Sequence, residues 1–271
     1  MAREEHATVK TVIRSRRFDT VSALLTLASL FLLLTPAVHA KSKADKLVLA
    51  ARDSLQRGDR QGALQYLNQA LQLYQADNDR VNLAVTNNDI GRIYADLGEN
   101  LKAMEYYGKA IPDLTLVWAL GDKRTYCGIL DNAGQASDAL GVKAAALLYY
   151  TQELEGWQRL PDRVRRSPEG RTGEATALNN LGVVYGEYGD KLKALGYYTQ
   201  ALGLWRAGGD HTREAATLEN IGHVYADSGE KQKALDYYNQ ALQLGLSTGD
   251  HAMESEARKK ISVLSVAAAP K

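Results

Sequence analysis

Leu178, Leu181, Val184 and Tyr185 fall at i, i+3, i+6 and i+7, the apolar stripe of one helix face. Leu192, Leu195, Tyr198, Leu202 and Trp205 draw a second stripe of the same period. Gly189-Asp190 interrupts the pattern between them, with Gly suited to end one helix and Asp to cap the next. The stripes therefore predict a helix pair, and the pair returns. LNNLGVVYGEYGDKLKALGYYTQALGLWRAGGDH, from Leu178, comes back from Leu218 as LENIGHVYADSGEKQKALDYYNQALQLGLSTGDH. Gly182 maps onto Gly222, Tyr185 onto Tyr225, Gly189 onto Gly229, Ala194 onto Ala234, Tyr198 onto Tyr238 and Ala201 onto Ala241.

Earlier copies follow from the same register. One supplies Gly91, Tyr94, Gly98, Ala103, Tyr107 and Ala110. A decayed copy around Gly134 keeps Asn132, Gly141, Ala146 and Tyr149-Tyr150 but has Ser137 where the Tyr belongs. The first copy keeps Gly58, Ala63 and Ala70, with Ala51 in place of the leading Gly. The leading small residues stand at 51, 91, 134, 182 and 222, with spacings of 40, 43, 48 and 40. Self-similarity at such a period predicts stacked units. The expected fold is all-α, an α-α superhelix (solenoid) of about five helix pairs plus a C-terminal capping helix. The units are placed at 44–79, 80–122, 123–170, 171–210 and 211–250, with the cap at 251–266. Inserts at Ile111–Trp118 and Leu160–Gly170 flank the decayed unit, where the superhelix is expected to be least regular. Asp79, Asp122, Asp210 and Asp250 are placed to cap the following first helices.

The small-and-large signature Leu178, Leu181-Gly182, Tyr185, Ala194, Tyr198 and Ala201 resembles the tetratricopeptide repeat, over roughly residues 44–266. The forty-residue period and the closing Gly-Asp resemble a long subclass, as in kinesin light chains, cell-polarity adaptors and bacterial proteins that append a CHAT caspase-like domain. The resemblance implies a concave groove lined by the first helices, at positions one third along each helix and one turn further. Transferred by the glycine register, these are Asn88 and Arg92, Asp131 and Gln135, Asn179 and Val183, and Glu219 and His223. The row is polar and of mixed charge, suited to hydrogen-bonding an extended peptide or a helix. Some family members grip a C-terminal carboxylate there with paired Lys and Asn. Asn132, Asn180 and Asn220 match the Asn-bearing position, but the Lys residues are missing, so that activity is not expected.

Residues 1–40 (the rest, 41–271, being the repeat region) differ in kind. Arg14, Arg16 and Arg17 precede the apolar run Val21–Leu34, and Ala37-Val38-His39-Ala40 closes it with small residues at −3 and −1. This predicts a secretory signal peptide cleaved after Ala40, and hence a periplasmic or secreted protein. The run is ~14 residues, short of the roughly 20 a spanning helix needs. An uncleaved segment would instead anchor the chain in the membrane. Ser15-Arg16-Arg17-Phe18 partly resembles a twin-arginine signal, with its Phe one place early and a leucine-rich core that favours ordinary secretion.

Without that segment the charge is about −1, and no basic stripe remains, which argues against nucleic acid as a partner. Cys127 is the one cysteine, so no internal disulfide forms; it reads as a small semi-buried residue. His211 and His251 are copies of one loop position, and no H-x-x-x-H or C-x-x-C spacing suggests a metal. No G-x-S-x-G or phosphate-binding Gly loop is present. No catalytic residue, metal ligand or small-molecule cofactor is therefore assigned. The tandem tyrosines read as packing, the second of each pair in the core and the first over the interface. Trp157 and Trp205 read as packing against the following unit. Arg258, Lys259 and Lys260 are expected to face water, and 267–271 to fray. The expected function is a non-catalytic scaffold or adaptor that holds a protein or peptide in its groove. The alternative is a regulatory partner of a separately encoded CHAT-type effector.

Overall fold

The computed structural model describes residues 43–119 and 122–266; the predicted signal segment and the C-terminal residues 267–271 lie outside them. Every regular element among the described residues is helical. In chain order these are α1 (43–56), α2 (Arg60–Ala76), α3 (Arg80–Asp96), α4 (Asn100–Ala110), a 3₁₀ turn at Ile111–Asp113, α5 (Leu114–Ala119), α6 (Lys123–Ala139) and α7 (Lys143–Gln158). Then come α8 (Asp162–Arg165), α9 (Pro168–Glu187), α10 (Lys191–Gly208), α11 (His211–Asp227), α12 (Lys231–Thr248) and α13 (His251–Val266). The chain forms two compact units, divided after Thr86 within α3.

In the first unit, Ala44, Ala70 and Tyr74 form a small core with Leu47, Val48, Leu73 and Leu83. The Tyr74 hydroxyl donates to Asp45 Oδ1 at 2.7 Å, which ties α2 to α1. Asp59 caps α2 by accepting from the Gly62 amide at 2.8 Å.

The second unit carries the helix pairs α3/α4, α6/α7, α9/α10 and α11/α12, followed by α13. One contact recurs within every pair. A Cβ built on Gly91, Gly134, Gly182 or Gly222 would lie 2.5, 2.4, 2.6 or 2.6 Å from the ring of Tyr107, Tyr150, Tyr198 or Tyr238 respectively. The leading Gly is thus the seat of the second Tyr, and all four rings are buried. Ala103, Ala146, Ala194 and Ala234, also buried, supply the other small positions of the second helices. At Gly189 the chain reverses through φ +79, a conformation glycine adopts without steric cost, and Asp190 then caps α10 through the Lys193 amide. Asp79, Asp122, Asp210 and Asp250 accept from amides of the following first turn.

The first Tyr of three pairs has a second recurring partner. Tyr106, Tyr197 and Tyr237 stack on Tyr94, Tyr185 and Tyr225 at 5.6, 5.4 and 5.5 Å between centroids. Lys102, Lys193 and Lys233 cover Tyr94, Tyr185 and Tyr225 at 5.2, 4.8 and 5.1 Å. The α6/α7 pair lacks this clamp. Ser137, Val142 and Ala145 stand at the register of the Tyr, the acidic cap and the Lys, and Ser137 turns its hydroxyl back to the Ala133 carbonyl at 2.7 Å.

The inserts fold as helical turns. The 3₁₀ turn and α5 precede α6, with Trp118 edge-on to Tyr126 at 5.0 Å, and α8 sits between α7 and α9. Two expectations need correction. His211 and His251 are the first residues of α11 and α13, because Asp210 and Asp250 ahead of them cap those helices. Lys260 is half-buried rather than fully in water, for a reason found in the groove.

Candidate protein-interaction groove

All eight candidate groove residues belong to the second compact unit, two each on α3, α6, α9 and α11. The structure divides them into two rows with different duties.

The first row is Asn88, Asp131, Asn179 and Glu219, each three residues before the leading Gly. Each accepts a hydrogen bond from the next first helix. Asn132 Nδ2 donates to Asn88 Oδ1 at 2.9 Å, Asn180 Nδ2 to Asp131 Oδ1 at 3.2 Å, and Asn220 Nδ2 to Asn179 Oδ1 at 3.4 Å. The last rung is Lys260 Nζ on Glu219 Oε2 at 2.5 Å. Lys260 stands forty residues after Asn220, so the capping helix continues the ladder with a charged donor. Asn88 and Glu219 are only 8% and 9% exposed. This row joins unit to unit and is committed to that role. The asparagines Asn132, Asn180 and Asn220 are its donors.

Burial raises the Asp131 carboxyl above its ordinary value, against a Gln135 hydrogen bond that lowers it. Burial pulls the Lys260 ammonium down, but the Glu219 hydrogen bond and charge, with Glu256, outweigh it and raise it. The raised ammonium contributes stability that is fully present below the ordinary lysine range and fades as pH rises above it. Replacing Lys260 with Met keeps the stem and leaves Glu219 unpaired in a nearly closed site. The expected cost is about 1–3 kcal/mol. It should appear as faster amide exchange in α13 and the C-terminal part of α11, with α6 and α7 unchanged.

The second row is Arg92, Gln135, Val183 and His223, one residue after each leading Gly. Arg92, Gln135 and His223 are exposed and Val183 is half-buried. Their polar contacts run along their own helices: Arg92 with Asp89 at 4.0 Å, Gln135 with Asp131 at 2.9 Å, His223 Nδ1 with Asp227 Oδ2 at 3.0 Å. Between α9 and α11 the row opens into a cleft of about 250 Å³, lined among others by Val183, Gly186, Tyr198, His223 and Asp227. At its edge Lys191 Nζ donates to the Asp227 carbonyl at 2.6 Å, another link between units. The cleft combines an apolar floor with ionisable walls, a surface that can take an apolar side chain flanked by polar ones.

Cys127 is buried, with Sγ 3.8 Å from the Glu153 carbonyl oxygen, and burial pushes its thiol well above the usual range. It is a packing residue rather than a nucleophile. No group of three or more His, Cys, Asp or Glu side chains among the described residues is arranged to hold a metal. No described helix is long and apolar enough to cross a membrane.

The tetratricopeptide repeat family model matches residues 43–114 and 173–246, more than half of the chain. This chain belongs to the tetratricopeptide repeat family. The unmatched stretch holds α6 and α7, which lack the aromatic clamp. No curated protein matches the chain. Among solved structures, this tetratricopeptide repeat protein is similar to BtubC (BKLC) from P. vanneervenii, at 23% identity and TM-score 0.66, over 81% of this chain and 86% of that one. It is also similar to the signal transduction ATPase with numerous domains from Pyrococcus horikoshii, which carries a tetratricopeptide repeat sensor. That likeness is 20% identical with TM-score 0.67, over 86% of this chain and 34% of that one. A putative kinesin light chain from Podosopora anserina, with nearly identical repeats, aligns at 16% identity and TM-score 0.61, over 78% and 98%. At these identities the likeness establishes the fold, and the fold is that of a protein-interaction scaffold.

Proposed function

We propose that this chain is an exported scaffold that holds a protein or peptide partner against Arg92, Gln135, Val183 and His223, without catalysis of its own. The observation that carries this reading is the division of labour in the groove. One row of each first helix is consumed in joining units, while the other stays accessible and differs in chemistry from unit to unit. A surface that varies on a constant frame is how a repeat protein specifies its partner. Export rests on the basic, apolar and small-residue pattern of 1–40.

A photo-crosslinking residue at Val183, introduced in intact cells, should capture a partner in the exported fraction on a chain beginning at Lys41. The same probe at Gln200, exposed on α10, should not. Adding Arg92→Glu and His223→Ala should reduce the Val183 adduct tenfold or more. Equal capture from both positions, or an adduct indifferent to the substitutions, would sink the groove assignment.

A second reading takes the repeats as the sensing half of a separately encoded effector, of CHAT type by the subclass resemblance. It is favoured by the Pyrococcus horikoshii ATPase, whose repeats are described as its sensor. A neighbouring reading frame for such an effector, and its copurification with this chain, would support it; unrelated neighbours would count against it.

A further inference from the structure

Three residues after the second Tyr of each pair the chain carries Ala110, Ala201 and Ala241, all fully buried. In the first unit Ala70 stands at the same place and is also buried. In α7 the position holds Glu153, 2% exposed. Its Oε1 accepts from Trp157 Nε1 at 3.1 Å, while its Oε2 is buried without a hydrogen-bond partner among the described residues.

Among the described residues no cation acts on it. From α6 the groups that feel Glu153 are Asp131, whose charge opposes it, and Cys127, whose Sγ lies against the Glu153 backbone carbonyl. From α7 they are Tyr150 and Trp157. From α9 the packing is apolar, with Ala177, Leu178 and Leu181 in the same core. Burial first, then the Asp131 charge, raise the Glu153 carboxyl well above its ordinary value of 4.5, against the Trp157 bond that lowers it. A charged carboxylate here would lack both a counterion and a full set of donors, which a neutral carboxyl tolerates better. Within the second compact unit, the helix pair that carries it is also the one that lacks the Tyr–Tyr–Lys clamp.

We propose that Glu153 is a proton-operated joint: α7 seats on α6 and α9 while its carboxyl carries a proton, and loosens from them when the proton leaves. The sign follows from linkage. A group whose value is raised in the folded state contributes stability fully below its unfolded value, and the contribution fades as pH rises through the folded one. The stack α6–α7–α9 is therefore tightest in mild acid and relaxes toward alkaline pH. The Asp131–Asn180 rung passes from α6 to α9 over this joint, so relaxation reaches the groove frame.

The test uses the full chain and the variants Glu153→Gln and Glu153→Ala, the second installing the residue of the other units. Melting temperature and amide exchange, corrected for intrinsic rates, are followed from pH 5 to pH 8. Both variants should melt several degrees above the parent at pH 8, and that gap should shrink toward pH 5. Parental amides in α6, α7 and the middle of α9 should lose protection as pH rises, those of α11 and α12 should not, and Glu153→Gln should abolish the trend. Asp131→Asn should keep the trend in weaker form. A gap that is constant with pH, or a trend that survives in Glu153→Gln, overturns the proposal.

Discussion

Tyr198→Ala is expected to cost about 3–5 kcal/mol, the range for emptying an aromatic site in a packed core. The ring is 4% exposed and rests on Gly182, where an added Cβ would lie 2.6 Å from both Cδ1 and Cε1. Gly182→Ala therefore drives against the same ring from the other side. Overpacking of this kind costs about 1–3 kcal/mol. Replacing Gly in a helix interior returns about 1 kcal/mol. The single variant should be destabilised by up to about 2 kcal/mol. Once Tyr198 is Ala, the obstacle is gone and only the helix-propensity gain remains. Gly182→Ala should then stabilise by up to about 1 kcal/mol. The reversal of sign, read as a coupling of about 1–3 kcal/mol in a double-mutant cycle by urea denaturation, isolates this contact from the rest of the unit. If the two effects simply add, the Gly–Tyr contact does not carry the helix pair.

This contact was legible in the chain because both of its partners recur at a fixed spacing. A Gly that returns sixteen residues before a Tyr in four units is a steric statement in itself. The groove was half legible. The register placed eight residues on the first helices, and the structure puts them on those helices. It did not reveal that Asn88, Asp131, Asn179 and Glu219 reach across to the next unit, because their partners lie 41 to 49 residues away. The signal was present in the return of Asn132, Asn180 and Asn220, followed at the same interval by Lys260. Taken alone, Lys260 lies in a run of three basic residues and suggests a solvated face. Only its register against Asn220 shows it to be a rung. Glu153 was hidden for the opposite reason. The α6/α7 copy is so degraded that one more departure carried no weight, although a carboxylate at an Ala position departs furthest from the local packing rule.

Gly173→Ala is expected to displace Trp157 and to destabilise the chain by about 1–3 kcal/mol. Gly173 lies on α9 under the indole of α7, where a Cβ would stand 2.2 Å from Cε2 and Cζ2 and 2.8 Å from Cδ2. An indole is planar and cannot bend aside. Either the ring swings out or α7 moves off α9. Both movements break the Trp157 Nε1–Glu153 bond and leave Glu153 with no donor. Overpacking contributes about 1–3 kcal/mol and the lost hydrogen bond about 1 kcal/mol. The helix-propensity gain of Ala over Gly offsets about 1 kcal/mol of this. The next unit shows that the position itself accepts bulk, since Arg213 stands forty residues on and lies over Trp205 at 5.4 Å. The constraint is thus the pose of Trp157 and not the backbone of α9. Gly186→Ala, on the same helix, is the control. Its Cβ would meet only the Ala194 Cβ at 3.8 Å, an ordinary contact, and should stabilise by up to about 1 kcal/mol. Opposite signs for two Gly→Ala changes on one helix, with a red-shifted tryptophan emission for Gly173→Ala alone, are the expected result. Equal effects would mean that the α7–α9 seat is not held by the indole.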